Sequence, residues 1–188
     1  MFEVGDKVVH PAHGAGVVAG IEEKELIDEF THYYIIQLTA AEMKLMIPVR
    51  TAEAIGLRPV VKPAQIEAIY DTLQARPRDL IDDFKKRQAI LVQQLKSGDI
   101  VGVAEVVRDL FWRNQASPLS PTESRQLESA KQQLASELSL AEDIDVEESL
   151  AHIGELLRRS VQMGKQATAT AVDAGETGPV GQQVAAGD

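Results

Sequence analysis

Residues 84–113, FKKRQAILVQQLKSGDIVGVAEVVRDLFWR, set the fold class because two amphipathic helices follow each other in this stretch with one stop between them. In the first half, apolar residues recur at helical spacing from Phe84 to Leu95. Phe84 is followed at once by a basic run, Lys85, Lys86 and Arg87. Gly98 suits the left-handed conformation that ends a helix, and Asp99 suits the cap of the next one. The stretch therefore predicts a helix hairpin with cations beside an aromatic ring at its start.

The second half of this stretch predicts a buried helix. Apolar residues recur every three or four positions, at Val103, Val106, Val107, Leu110 and Phe111. That spacing puts them on one face, which other elements must cover. Phe111 and the neighbouring Trp112 are predicted to lie in the core.

Residues 1–50 carry the signals of short strands instead. Runs rich in β-branched and aromatic residues occupy 7–10, 15–21, 33–38 and 44–49, and Pro11, a glycine turn and a charged loop separate them. Such spacing is typical of a small antiparallel barrel of the SH3 or Tudor type, which we assign to residues 1–57. Such a sheet keeps an exposed edge, and the apolar run at 45–48 makes that edge a candidate partner site.

The rest of the chain predicts an all-α domain. The prolines at 59 and 63 mark residues 58–63 as a linker. Five helices are predicted beyond it, at 63–75, 79–96, 99–115, 121–140 and from about 145 to Met163; the fourth opens with the capping box SPTE at 120–123. We therefore predict an α+β chain with a helical domain at 64–163. Residues 164–188, poor in aromatic residues, are predicted to be disordered.

The net charge of −10 is unevenly distributed along the chain. Residues 1–57 carry −5, residues 114–188 carry −7, and residues 58–113 between them carry +2. Binding to DNA relies on cations that displace counterions from phosphates, so this chain is expected to bind free DNA weakly. A DNA contact would need help from a second anchor.

The chain has no cysteine, which excludes disulfides and thiolate chemistry. Its first residues, MFEVGDKVV, lack the charged-then-apolar layout of a signal peptide. No run reaches the roughly 18 apolar residues that cross a bilayer. The chain is therefore predicted to be cytoplasmic and not bound to a membrane.

Candidate catalytic and metal-ligating groups are few. His10 and His13 lack a third ligand nearby, so no metal site is predicted. The acidic pairs at 22–23 and 28–29 sit in a charged run without an apolar pocket that would separate their pKa values. We expect a protein that is not an enzyme and has no cofactor, although an acid/base enzyme stays a distant alternative.

The residues then match a family. The chain resembles the CarD/CdnL family of bacterial transcription regulators over about residues 2–160. The resemblance rests on 4–18 (VGDKVVHPAHGAGVV), 33–34 (YY), 47–49 (IPV), 56–58 (GLR), 95–99 (LKSGD), 104–110 (AEVVRDL), 119–120 (LS) and 137–142 (ELSLAE). The first motif also fits a module of the transcription-repair coupling factor, where an ATP-driven motor follows, but this chain has no P-loop.

The resemblance implies a Tudor-like domain that binds the β subunit of RNA polymerase and a helical domain that meets promoter DNA at the upstream edge of the bubble. In the family a tryptophan, here Phe84, wedges into the minor groove at the fork, and the open promoter complex is stabilised. The implied phosphate contacts are Lys85, Lys86, Arg87, Arg125 and Lys131. The implied polymerase contacts are Lys24, Lys44, Leu45, Met46, Ile47 and Pro48. A monomer associated with the bacterial nucleoid through polymerase is expected.

Two positions of the family's polymerase contact can be compared with this chain. Lys24 keeps the basic residue that the family has at its position, whereas Met46 stands where the family has a basic residue, so a more apolar interface is expected.

The second hypothesis is a protein adaptor that does not bind DNA and links RNA polymerase to another protein through the helices.

Overall fold

The predicted order of strands followed by helices is confirmed in a computed structural model, which describes residues 1–27, 30–40 and 42–175. The strands are β1 (Lys7–His10), β2 (Gly14–Ile27), β3 (Phe30–Leu38), β4 (Lys44–Pro48) and β5 (Arg58–Pro59). They form one antiparallel sheet in the order β4-β3-β2-β1-β5, and a 3-10 helix at Val49–Thr51 follows β4. The helices are α1 (Pro63–Gln74), α2 (Phe84–Lys96), α3 (Ile100–Ala116), α4 (Pro121–Glu142) and α5 (Val146–Gly175).

One face of the sheet has its own apolar core. Alternate residues of the strands, among them Val8, Val18, Tyr34 and Ile36, pack with Leu57 from the segment after β4. Phe2 closes this core from the N-terminus, with its ring edge-on to Tyr34 at 5.8 Å between centroids. The five-stranded sheet with its own core agrees with the predicted Tudor-like domain.

The other core lies between the helices. It is built from one apolar face of each helix, with Leu73, Leu91, Leu110, Leu138 and Leu157 among its buried members. The stop between α2 and α3 is as predicted: Gly98 has a φ of 76°, and the Asp99 side chain accepts a hydrogen bond from the Val101 N–H. The prediction that Phe111 and Trp112 lie in the core is wrong in degree, because both are only half-buried and Phe111 packs against the edge of this core.

Three predicted boundaries are wrong. Helix α2 begins at Phe84, not at Asp79, because Asp83 and not Asp79 caps it. The predicted linker starts as strand β5, which pairs with β1 at the sheet edge, where a proline is tolerated. Helix α5 continues to Gly175, past the predicted end at Met163, since the alanine-rich sequence there favours a helix. Residues 176–188 of the predicted disordered tail lie outside the described residues, as do Asp28 and Glu29.

A buried ion pair joins the sheet to the helices. The Arg58 guanidinium binds the Glu137 carboxylate with both nitrogens, at 2.6 Å and 2.8 Å. Glu137 is 0% exposed and also accepts the Val61 N–H at 3.0 Å, while Arg58 Nε donates to the Gly98 carbonyl at 2.8 Å. Lys7 of β1 adds a bond to the Leu140 carbonyl at 2.7 Å. The segment at 58–63 is therefore held against α4 and the turn between α2 and α3.

Helix α5 meets α3 through a glycine that leaves room for Trp112. A Cβ added at Gly164 would lie 2.3 Å from the Trp112 ring carbon Cη2. The ring is tied to α5 by a hydrogen bond from its Nε1–H to Ser160 Oγ at 3.1 Å. Only a residue without a side chain fits this position.

We expect Gly164→Ala to lower the free energy of unfolding by about 1–3 kcal/mol, because overpacking outweighs the gain in helix propensity. Urea unfolding measures the change. Gly154→Ala in the same helix is the matched control, since its Cβ would meet only the flexible end of Arg158, at 3.2 Å. Equal stability of the two variants would show that Trp112 moves aside freely.

Candidate nucleic-acid interface

Phe84 stands at the very start of α2. The Asp83 carboxylate caps the helix by accepting the Lys86 N–H at 3.0 Å, so Phe84 is the first helical residue. Side chains of a helix lean toward its N-terminus, and here no preceding turn lies in the way. The ring is accordingly 46% exposed.

Lys85 and Lys86 are both exposed beside this ring. They add two charges beside a helix N-terminus whose partial positive charge the Asp83 carboxylate already caps. The first turn of α2 thus combines an exposed aromatic ring with cations. These are the elements that were predicted for a contact with DNA.

Arg87, the last of the predicted basic run, is placed differently. It is only 5% exposed, and its Nε donates to Glu123 Oε1 at 2.9 Å. Its Nη1 donates to the carbonyls of Ile81 and Asp82, at 2.6 Å and 3.0 Å. This placement does not fit the predicted role as a phosphate contact, because the guanidinium is already paired and shielded from solvent.

Glu123 anchors that ion pair from α4. Its second oxygen accepts the Ser120 N–H and hydroxyl at 3.0 Å and 2.8 Å, completing the predicted capping box. Arg113 Nε lies 3.4 Å from the oxygen that Arg87 binds. Burial alone would raise the pKa of Glu123, but hydrogen bonds from Ser120 and Arg87 outweigh it and lower that pKa. Glu123 therefore stays ionised and holds the first turns of α2 and α4 together.

The remaining two predicted phosphate contacts lie on α4. Arg125 is exposed, two residues beyond Glu123. Lys131 is two turns farther on, pairs with Glu128 at 3.0 Å and lies over the Phe111 ring at 5.9 Å. Arg125 is thus freer to reach a phosphate than Lys131, whose charge is already engaged.

A groove between α2, the segment before it and α3 was not expected from the sequence. It has a volume of about 230 Å³, and its lining combines apolar side chains with charged ones, among them Leu80, Ile81, Ile90, Leu91, Arg78, Asp79 and Asp109. Ile81 and Ile90 are 46% and 42% exposed. The sequence signal was hidden, because the predicted helix start at Asp79 would have put Ile81 inside the helix. The segment before α2 and the helix itself therefore expose apolar side chains besides Phe84.

Strand β4, the predicted polymerase contact, lies at an edge of the sheet. Its side chains alternate: Lys44 and Met46 are exposed, Leu45 and Pro48 are half-buried, and Ile47 is buried. Ile47 therefore offers a partner its backbone and not its side chain. Lys24 is exposed on β2 beyond the Pro48 end of β4, with an ion pair to Glu22 at 2.7 Å.

The described part of the chain gives little support for a metal site or a membrane-spanning helix. The rings of His10 and His13 lie 4.7 Å apart, but within the described ranges no three His, Cys, Asp or Glu side chains gather into a metal site. Among the residues described, none of the helices combines the length and apolarity required to cross a bilayer.

Comparison with known proteins gives matches to two protein-family models and, among curated proteins, to a relative from Bacillus subtilis. Residues 2–61 match the CarD-like/TRCF RID domain, and residues 68–154 match the CarD C-terminal domain. The Bacillus subtilis (strain 168) protein YdeB, described as a candidate transcription factor, is 35% identical over 144 residues. That alignment covers 77% of this chain and 94% of YdeB.

Proposed function

Because this chain belongs to the CarD family, we propose that it is a transcription regulator that binds RNA polymerase and stabilises the open promoter complex. The β subunit of polymerase is held by the edge strand β4. Promoter DNA at the upstream fork of the bubble is met by the first turn of α2, where Phe84 acts as an apolar wedge. The protein works without a cofactor and without catalysis.

The observation that carries the DNA half of this proposal is the exposed Phe84 ring. It stands at a helix N-terminus beside two exposed lysines, in a chain whose net charge is −10. Proteins that bend or open DNA through the minor groove often insert such apolar side chains between base steps. Lys85, Lys86 and Arg125 hold the neighbouring phosphates, which a few cations suffice to do once the DNA is close.

Binding to polymerase is what brings the promoter DNA close to the protein. An edge strand has unpaired N–H and C=O groups to which another strand adds, and side chains on alternate positions give specificity. Lys44 and Met46 face outward on β4, and Lys24 extends the same contact past Pro48. Tethering to polymerase raises the local concentration of promoter DNA, so an acidic protein needs only weak contacts of its own.

The lifetime of the open complex, measured with and without the protein, tests the proposal. We expect a longer lifetime, together with footprint protection that extends upstream of the bubble. An unchanged lifetime and footprint, with polymerase binding intact, would instead favour a protein adaptor that does not bind DNA.

Met46→Glu is expected to weaken binding to polymerase about tenfold, the equivalent of roughly 1.4 kcal/mol at an interface contact. The added carboxylate would be desolvated in an apolar interface, while the fold is unaffected because Met46 is 40% exposed. Met43→Glu, at a 50% exposed methionine just before β4, is the control and should bind normally. Affinity is measured with purified polymerase. Equal loss in both variants would point to general charge repulsion and not to β4.

A further inference from the structure

Arg87 lies beneath the wedge and is not part of the surface that touches DNA. Its guanidinium carbon is 5.8 Å from the centroid of the Phe84 ring, within the range of a cation–π contact. The same guanidinium holds the carbonyls of Ile81 and Asp82, the residues that lead into α2. One buried group thus contacts both the ring and the backbone below it.

The first residue of a helix is a poor support for a rigid side chain. No earlier turn packs against it, so the ring could rotate among its staggered positions. A wedge that must enter between base steps loses this freedom on binding, and holding it beforehand improves binding. A fixed cation under the ring supplies such a hold.

We propose that Arg87, held by Glu123, is a positioning residue that fixes the Phe84 ring in its outward orientation, a role that rests on the proposed wedge function. Glu123 is 1% exposed and is itself fixed by Ser120 in the capping box of α4. Its carboxylate neutralises Arg87, so the cation is directed at the ring and the carbonyls and not at DNA phosphates. The support of the wedge therefore comes from α4, through Glu123, which is 36 residues from Arg87 in the chain.

Arg87→Lys tests this role because lysine keeps the charge but lacks the planar fork that reaches Glu123 and both carbonyls at once. Arg113→Lys is the matched control. Arg113 lies 3.4 Å from the same Glu123 oxygen, and within the described part of the chain no hydrogen bond or ion pair joins its side chain to Phe84 or to residues 81–83. Both variants change an arginine contact with the same carboxylate, but Arg87 is the more buried of the two and also binds two carbonyls, so the melting temperature of each variant is measured alongside.

The first readout needs neither polymerase nor DNA. With 4-fluorophenylalanine at position 84, the ¹⁹F resonance is expected to move toward the value of the unfolded chain in Arg87→Lys and to stay in place in Arg113→Lys. An unchanged ¹⁹F chemical shift in Arg87→Lys overturns the proposal, whatever its effect on the open-complex lifetime.

The second readout is a double-mutant cycle on open-complex lifetime. Arg87→Lys is expected to shorten the lifetime about 2- to 30-fold, the usual range for residues that act on a site without touching its ligand. In a Phe84→Ala background it should shorten the lifetime no further, whereas Arg113→Lys should have the same small effect in both backgrounds. Equal effects of Arg87→Lys with and without the ring would overturn the positioning role. If the ¹⁹F signal responds but Phe84→Ala leaves the lifetime unchanged, the wedge function itself fails.

Discussion

Replacing Arg58 by alanine is expected to lower the free energy of unfolding by about 3–5 kcal/mol, because it leaves the Glu137 carboxylate buried without a partner. Glu137 is 0% exposed and binds both nitrogens of the Arg58 fork. The Val61 N–H remains as its donor, which is too little to hold a desolvated charge. Urea unfolding of the purified protein measures the loss.

Two further variants separate this ion pair from ordinary surface contacts. Lys7→Gln removes another link between the sheet and α4, but Asp143 is well exposed and Lys7 is only half-buried, so the expected cost is about 1 kcal/mol or less. Adding Glu137→Gln to Arg58→Ala removes the orphaned charge and should restore part of the stability. If Arg58→Ala costs no more than Lys7→Gln, the pair is not an energetic anchor.

The same experiment examines the prediction of two domains at 1–57 and 64–163. A single unfolding transition in the natural chain that splits into two in Arg58→Ala would mean that each part folds alone and that the ion pair couples them. Such a variant should still bind polymerase through β4 yet lose much of its effect on the open complex. The reason is that Phe84 would no longer be held at a fixed distance from β4, the strand that binds polymerase.

Periodicity and capping carried most of the fold prediction. The strands at 7–10 and 44–49 and the helices opening at Pro63, Ile100 and Pro121 follow from local signals, and the structure has them within a residue or two. The family assignment from the motifs at 4–18 and 104–110 is confirmed by the matches to both CarD domains. Local sequence was sufficient because caps and turns are local interactions.

Where the prediction of sites differs from the structure, the deciding contacts are distant in sequence. Asp79 and Asp83 are both acceptable caps, and Asp83 is the one used, while Arg78 next to Asp79 is held to α3 by Glu105 and Asp109. In the sequence Arg87 is indistinguishable from its neighbours Lys85 and Lys86. In the structure it forms an ion pair with Glu123 on another helix. Arg58 and Glu137 are separated by 79 positions, so no local pattern pairs them. A basic run therefore predicts the location of the site but not which of its cations is available.

The largest functional effect is expected from Phe84→Ala, which should shorten open-complex lifetime without weakening polymerase binding. A contact between an aromatic ring and a base contributes roughly 1–3 kcal/mol, which corresponds to about 5-fold to 150-fold in an equilibrium. The ring is 46% exposed, so its removal should cost little stability. Val92→Ala, at a 38% exposed residue of the same helix, is the control and should leave the lifetime unchanged.

Phe84→Trp distinguishes a wedge from a core residue. An exposed ring that enters the DNA accepts the larger side chain, so the melting temperature should hold and the lifetime should match or exceed that of the natural protein. A ring that packs inside the protein would instead be overpacked, at a cost of about 1–3 kcal/mol. The wedge is therefore excluded by one pair of results: Phe84→Trp lowers the melting temperature markedly, and Phe84→Ala, properly folded, leaves the open-complex lifetime unchanged.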